Sequence, residues 1–80
     1  MTYEQFRRVL KEQKVKHHNK VRIMLRKGDG GEGQVIGIIN LKVNPCELCI
    51  SYDHNNTGKI DTDFVYGIKL DRVVSLEVID

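Results

Sequence analysis

Residues 21–40 read VRIMLRKGDGGEGQVIGIIN, and the parsing of this stretch decides the fold. Val21, Ile23 and Leu25 alternate with Arg22, Met24 and Arg26. That period of two, one face apolar and the other mostly charged, predicts a half-buried strand. Gly28, Gly30, Gly31 and Gly33 follow, four glycines in six residues. Such a run does not sit inside a helix, and it supplies positive φ at little cost. Gln34 to Ile39 is β-prone again. Val35, Ile36, Ile38 and Ile39 load both of its faces, which predicts a central, well-covered strand. Gly37 interrupts it and predicts a bend or bulge, as a small curved barrel requires.

Upstream of this hairpin the pattern changes to a helical period. Thr2 has the character of an N-cap, and Gln5 stands three residues later, the capping-box spacing. Tyr3, Phe6, Val9 and Leu10 then form one apolar stripe on a helix of about three turns. The stripe reads as core, laying the helix on the sheet. Arg7, Arg8, Lys11 and Lys14 lie off it. Residues 14–20, KVKHHNK, read as a solvated basic linker. Adjacent histidines such as His17 and His18 diverge on a strand or a helix, so they make a poor metal pair.

Downstream, residues 41–45 form a connection, and Pro45 bars a mid-sheet position. Cys46, Leu48, Ile50 and Tyr52 alternate with Glu47, Cys49 and Ser51, a third strand. Residues 53–63, DHNNTGKIDTD, are a polar loop. Phe64 to Leu70 is a fourth strand, and Asp71-Arg72 suits a short turn. Val74, Leu76 and Val78, or the opposite set Val73 and Ile79, face inward from a fifth.

Eighty residues make one domain. Residues 1–18 supply the basic helix and linker, and 19–80 the sheet. The expected fold is mainly β with one N-terminal helix, a small five-stranded SH3-like barrel. Two cysteines do not make a disulfide scaffold. No apolar run approaches the ~18 residues of a membrane span. With no secretory h-region at the N-terminus, a cytoplasmic setting is the expectation.

The net charge of +2 conceals an asymmetry. Residues 1–27 carry nine basic and two acidic side chains, a net of +7, and residues 28–80 carry a net of −5. This division points to a basic face for nucleic acid or an acidic partner, or to head-to-tail contact between copies.

The chain resembles the Sm-like proteins, the class that includes ring-forming RNA chaperones. The basic amphipathic helix, VRIMLRKGDGGEG, Gly33-x-Val35, Asn40-x-x-x-Asn44 and the closing GIKLDRVVSLEV carry the likeness. Asn40 and Asn44 have the separation of that family's polar pair in the second loop. The resemblance implies RNA contact and pairing of edge strands between copies. On that reading Arg7, Arg8, Lys11, Lys14, Lys16, Lys20 and Arg22 contact phosphates, and Tyr3 or Tyr52 stacks a base. The partners expected are RNA or a protein, with homo-oligomerisation.

Other constellations carry less. Asp53, Asn55, Thr57 and Asp61 fall at positions one, three, five and nine of an EF-hand-type calcium loop, with Gly58 at the sharp turn. Position twelve, which needs a bidentate carboxylate, is Phe64. A polar hairpin loop explains the same residues through turn geometry. Cys46-x-x-Cys49 has zinc-site spacing, with His17, His18 and His54 to complete four ligands. On one strand, though, the two thiols point to opposite faces. None of Thr2, Ser51, Thr57, Thr62 or Ser75 lies in a nucleophile motif. The reading is a binding module that is not an enzyme and carries no cofactor, with a calcium-binding domain or a protein adaptor as alternatives.

Overall fold

The computed structural model of the chain describes residues 1–26, 33–42 and 47–79. One helix, α1 (Tyr3–Glu12), precedes β1 (Lys20–Leu25), β2 (Gly33–Asn40), β3 (Glu47–Tyr52), β4 (Tyr66–Lys69) and β5 (Val73–Val78). A 3-10 turn, Leu70–Arg72, joins the last two strands. All pairings are antiparallel, in the order β4-β3-β2-β1-β5. The mainly β, one-helix fold class is therefore the one the sequence predicts. The barrel does not close. Strands β4 and β5 are its two edges, and no ladder joins them among the described residues. The glycine-rich turn (27–32), Asn44, Pro45 and Cys46 lie outside the described residues. No described helix is long and apolar enough to cross a membrane.

The helix starts for local reasons. The Thr2 hydroxyl accepts from the Gln5 N–H (3.1 Å), and the Gln5 carboxamide accepts from the Thr2 N–H (2.7 Å). Both members of the capping box thus satisfy N–H groups that a helix start leaves open. Phe6 is buried, and Val9 and Leu10 pack against the core. Tyr3 departs from the expected stripe, at 44% exposure. It stands one turn before Phe6, at the rim where the helix leaves the sheet.

The register assigns the core face. Val21 pairs with Gly37 and Val78, Ile23 with Val35 and Leu76, and Ile39 with Ile50. Val21, Ile23, Ile39, Leu48 and Ile50 are fully buried, with Phe6 and Leu70 closing over them. Burying each such aliphatic side chain contributes about 1.5–3 kcal/mol. Strand β2 is central, as expected, but Ile36 and Ile38 on its other face are only half-buried.

Two further expectations needed long-range information. The fifth strand obeys neither proposed alternation. Its ladder steps from Met24↔Ser75 to Leu25↔Val73 and leaves Val74 unmatched. This bulge reverses the parity, so Val73 and Leu76 are both buried while Val74 is 58% exposed. The 14–20 linker is tied to β2. His18 donates to the Ile39 carbonyl (2.9 Å), and Ile39 donates to the Asn19 carbonyl (3.0 Å). Positive φ at Lys14 and His18 turns the chain there. That turn stacks the His17 and His18 rings at 3.8 Å, so these neighbours do not diverge as a strand or helix would make them.

Gly37 meets a different need from the bulge expected there. The β1–β2 register runs unbroken through it. A Cβ at this position would stand 2.2 Å from the Ser51 carbonyl and 2.8 Å from Ile50 Cγ1. Backbone cannot move aside as a side chain can, so Gly37→Ala should cost about 2–3 kcal/mol in denaturant unfolding. At Gly67→Ala the nearest atoms are those of the flexible Glu47 carboxylate, at 3.0–3.1 Å. This substitution should cost less than about 1 kcal/mol. Equal losses would show that the close approach at Gly37 is not what the site demands.

Candidate nucleic-acid interface

Where α1 leaves the sheet, a groove of about 730 Å³ opens between the helix and the far end of β2. Tyr3, Arg7, Arg8 and Lys11 form its helical wall. Phe6 and Leu10 form its floor, and Asn40, Leu41 and Glu47 stand opposite. The spacing follows from the helix. Residues three and four apart share a face, so a wall built on Phe6 and Leu10 carries Tyr3, Arg7 and Lys11 beside it. The Arg7 guanidinium lies over the Tyr3 ring, 5.8 Å from its centroid, with Nη1 3.5 Å from the Tyr3 hydroxyl. This cation–π contact leaves one exposed aromatic face with a fixed cation beside it.

The seven basic candidates separate. Arg7, Arg8 and Lys11 line the groove. Lys14 and Lys16 are exposed in the turn after α1, and Lys20 is exposed at the start of β1. None of these three lines the groove. Arg22 faces its cross-strand partner Glu77 and forms an ion pair with it. Of the two proposed stacking residues, Tyr3 is at the groove and Tyr52 is not. Asn40 was singled out in the sequence. Leu41 and Glu47 were not, because nothing local marks residues brought to a helix by strand pairing.

The 53–63 loop is held by its own polar groups. Asp53 Oδ1 accepts from the Thr57 N–H (2.9 Å) and hydroxyl (3.3 Å), and Oδ2 accepts from the Gly58 N–H (2.7 Å). Gly58 has φ +86°, which favours glycine. Asp61 Oδ1 accepts from the Asp63 N–H (3.0 Å), and Oδ2 lies 3.3 Å from His54 Nε2. Asn55 is exposed. Asp53 and Asp61 thus spend their oxygens on the loop itself. Among the described residues no group of three or more His, Cys, Asp or Glu is placed to hold a metal ion. Cys49 is buried on β3, and Cys46 lies outside the described residues.

Sequence reasoning also missed an aromatic cluster. The His54 ring sits 5.2–6.2 Å from those of Phe64, Tyr66 and Tyr52. Tyr52 and Tyr66 lie 4.9 Å apart. The available signal was aromatic residues at both ends of a polar loop, a pattern that hairpin pairing folds together.

Two groups here have displaced titrations. Burial of the His17 ring, reinforced by the neighbouring charges of His18 and Lys42, holds it below the ordinary histidine value of 6.5. The Leu41 N–H donates to its Nδ1 (3.1 Å), a bond that only the neutral ring accepts. Asp53 is held below 3.8, chiefly by the Thr57 N–H, with partial burial opposing and Gly58, the Thr57 hydroxyl and His54 assisting.

No protein-family model, curated protein or solved structure matches this chain.

A pH series of unfolding curves tests both titrations. Each group binds fewer protons folded than unfolded, so each stabilises above its ordinary pKa and ceases to do so as pH falls through the folded one. Stability should decline below about pH 6.5 through His17 and again below about pH 4 through Asp53. His17→Gln offers Leu41 an acceptor that does not titrate and should flatten the upper decline. Asp53→Ala should shrink the lower one. Unchanged profiles in these variants would assign both declines to other groups.

Proposed function

We propose that this chain is a non-catalytic, Sm-like binding module that takes single-stranded RNA in the groove between α1 and β2, and that its copies associate through sheet edges. The observation that carries the reading is the convergence of Tyr3, Arg7, Arg8 and Lys11 on one groove. Phosphates supply most of the affinity of RNA-binding surfaces, and unstacked bases find aromatic or guanidinium planes. Arg7 and Tyr3, already stacked, offer both within one side-chain pair. Asn40 on the opposite wall adds an amide that can read a base edge. The Sm-like resemblance supports the same ligand, and the helix followed by five strands agrees with that family's layout. Glu4 and Glu47 at the rim oppose indiscriminate binding of polyanions.

The test is a fluorescence-anisotropy titration with short single-stranded oligoribonucleotides. Three phosphate contacts give a salt slope near −2, so affinity should fall about twentyfold between about 50 and 200 mM salt. Removing Arg8 or Lys11 should reduce that slope by about 0.7. Arg22→Ala, which loses a cation already paired with Glu77, should leave affinity unchanged within about twofold. Absence of binding at low salt would remove RNA as the ligand and leave a protein adaptor.

A further inference from the structure

An open sheet leaves a row of backbone donors and acceptors on each edge strand, and these invite another strand. On β5 that row is partly occupied. The Ile79 N–H donates to the Lys20 carbonyl, which fixes the alternation of the β1–β5 ladder. Ile79 and Glu77 therefore face β1, and Val78 and Leu76 turn their N–H and C=O groups outward. The Gln13 carboxamide meets both residues. Its Nε2 donates to the Leu76 carbonyl (2.6 Å), and its Oε1 accepts from the Val78 N–H (3.0 Å). One side-chain amide thus takes a C=O and an N–H that a neighbouring strand would otherwise take. Gln13 is also the C-cap of α1, so the docked helix holds the amide in place.

We propose that Gln13 guards the β5 edge and sets how readily a strand from a second copy of this chain adds there. This rests only on the self-association part of the function proposed above. The second copy is the occupant that the charges favour. Glu77 is the charged residue of β5 and is exposed, and Asp71 stands just before the strand. The other open edge, β4, carries one charged residue, the exposed Lys69. A β4 edge brought to a β5 edge therefore sets the strand that carries Lys69 against the strand that carries Glu77. The same contact repeats from copy to copy, as head-to-tail assembly requires. Val78 and Leu76 exchange the Gln13 amide for a strand, so their backbone groups stay satisfied throughout.

Multi-angle light scattering over a concentration series, for wild type, Gln13→Ala and Gln13→Asn, measures the guard. Both variants should associate with a midpoint about tenfold or more below that of wild type, since two hydrogen bonds no longer need to be broken first. Gln13→Asn keeps a good helix end but is one methylene too short to span both groups, so it decides the matter if the alanine variant does not fold. Amide exchange at Val78 provides the second readout. Wild type should protect it at all concentrations, and the variants only where their mass has risen. An unchanged midpoint in folded variants, or fast Val78 exchange in their associated form, would overturn the guard. RNA affinity measured on the same samples keeps that outcome separate from failure of the groove.

Discussion

A missing side chain at the centre of the sheet sets the spacing on which the core depends. Gly37 lies on the middle strand, and the Ser51 carbonyl occupies space that any Cβ would need. Because β3 can come this close, Ile50 reaches Ile39, and Leu48 enters the same buried layer as Val21 and Ile23. The consequence reaches the surface. Asn40 and Leu41, three and four residues beyond Gly37, form the wall that faces α1 across the groove. A splayed β2–β3 pair would displace that wall, although no groove residue had changed. Dense interiors transmit such shifts because they have little free volume to absorb them.

What was legible in the sequence was local. The capping box is written in four consecutive residues, and the helix begins where Thr2 and Gln5 indicate. The alternation of Val21, Ile23 and Leu25 identified β1 and its buried face because one side is apolar and the other charged. Where a decision depended on a distant partner, the reading failed or stayed open. The bulge at Val74 comes from how β5 meets β1, so neither simple alternation could be correct. Tyr3 fits the apolar stripe by spacing, but the sheet does not extend far enough to cover it. The polar 14–20 segment looked solvated because its backbone bonds to Ile39 leave no trace in composition.

The same distinction governs the candidate site. The excess of nine basic over two acidic residues at the N-terminus is real, yet charge counts do not say which cations face one ligand. Folding divides them by geometry. Helical spacing gathers Arg7, Arg8 and Lys11, whereas cross-strand pairing commits Arg22 to Glu77. The acidic loop behaves similarly. Asp53, Thr57 and Gly58 occur at calcium-loop positions, but those residue types also build a self-capped turn, and the hydrogen bonds are those of the turn.

The division of charge and the open sheet bear on each other. A closed barrel would have no edges, and its charge asymmetry would have no direction in which to act. Here the sheet ends in β5, whose charged residue is Glu77, and in β4, whose charged residue is Lys69, so the two edges differ in sign. Screening confines such attraction to roughly 10 Å at 0.1 M salt, enough to orient two edges in near contact but too short to select a partner at a distance. Backbone hydrogen bonds supply the remaining recognition, and they are the same for any strand. Discrimination must therefore come from what already occupies the edge. A side-chain amide suits that role, because it satisfies the backbone groups of β5 without extending the sheet.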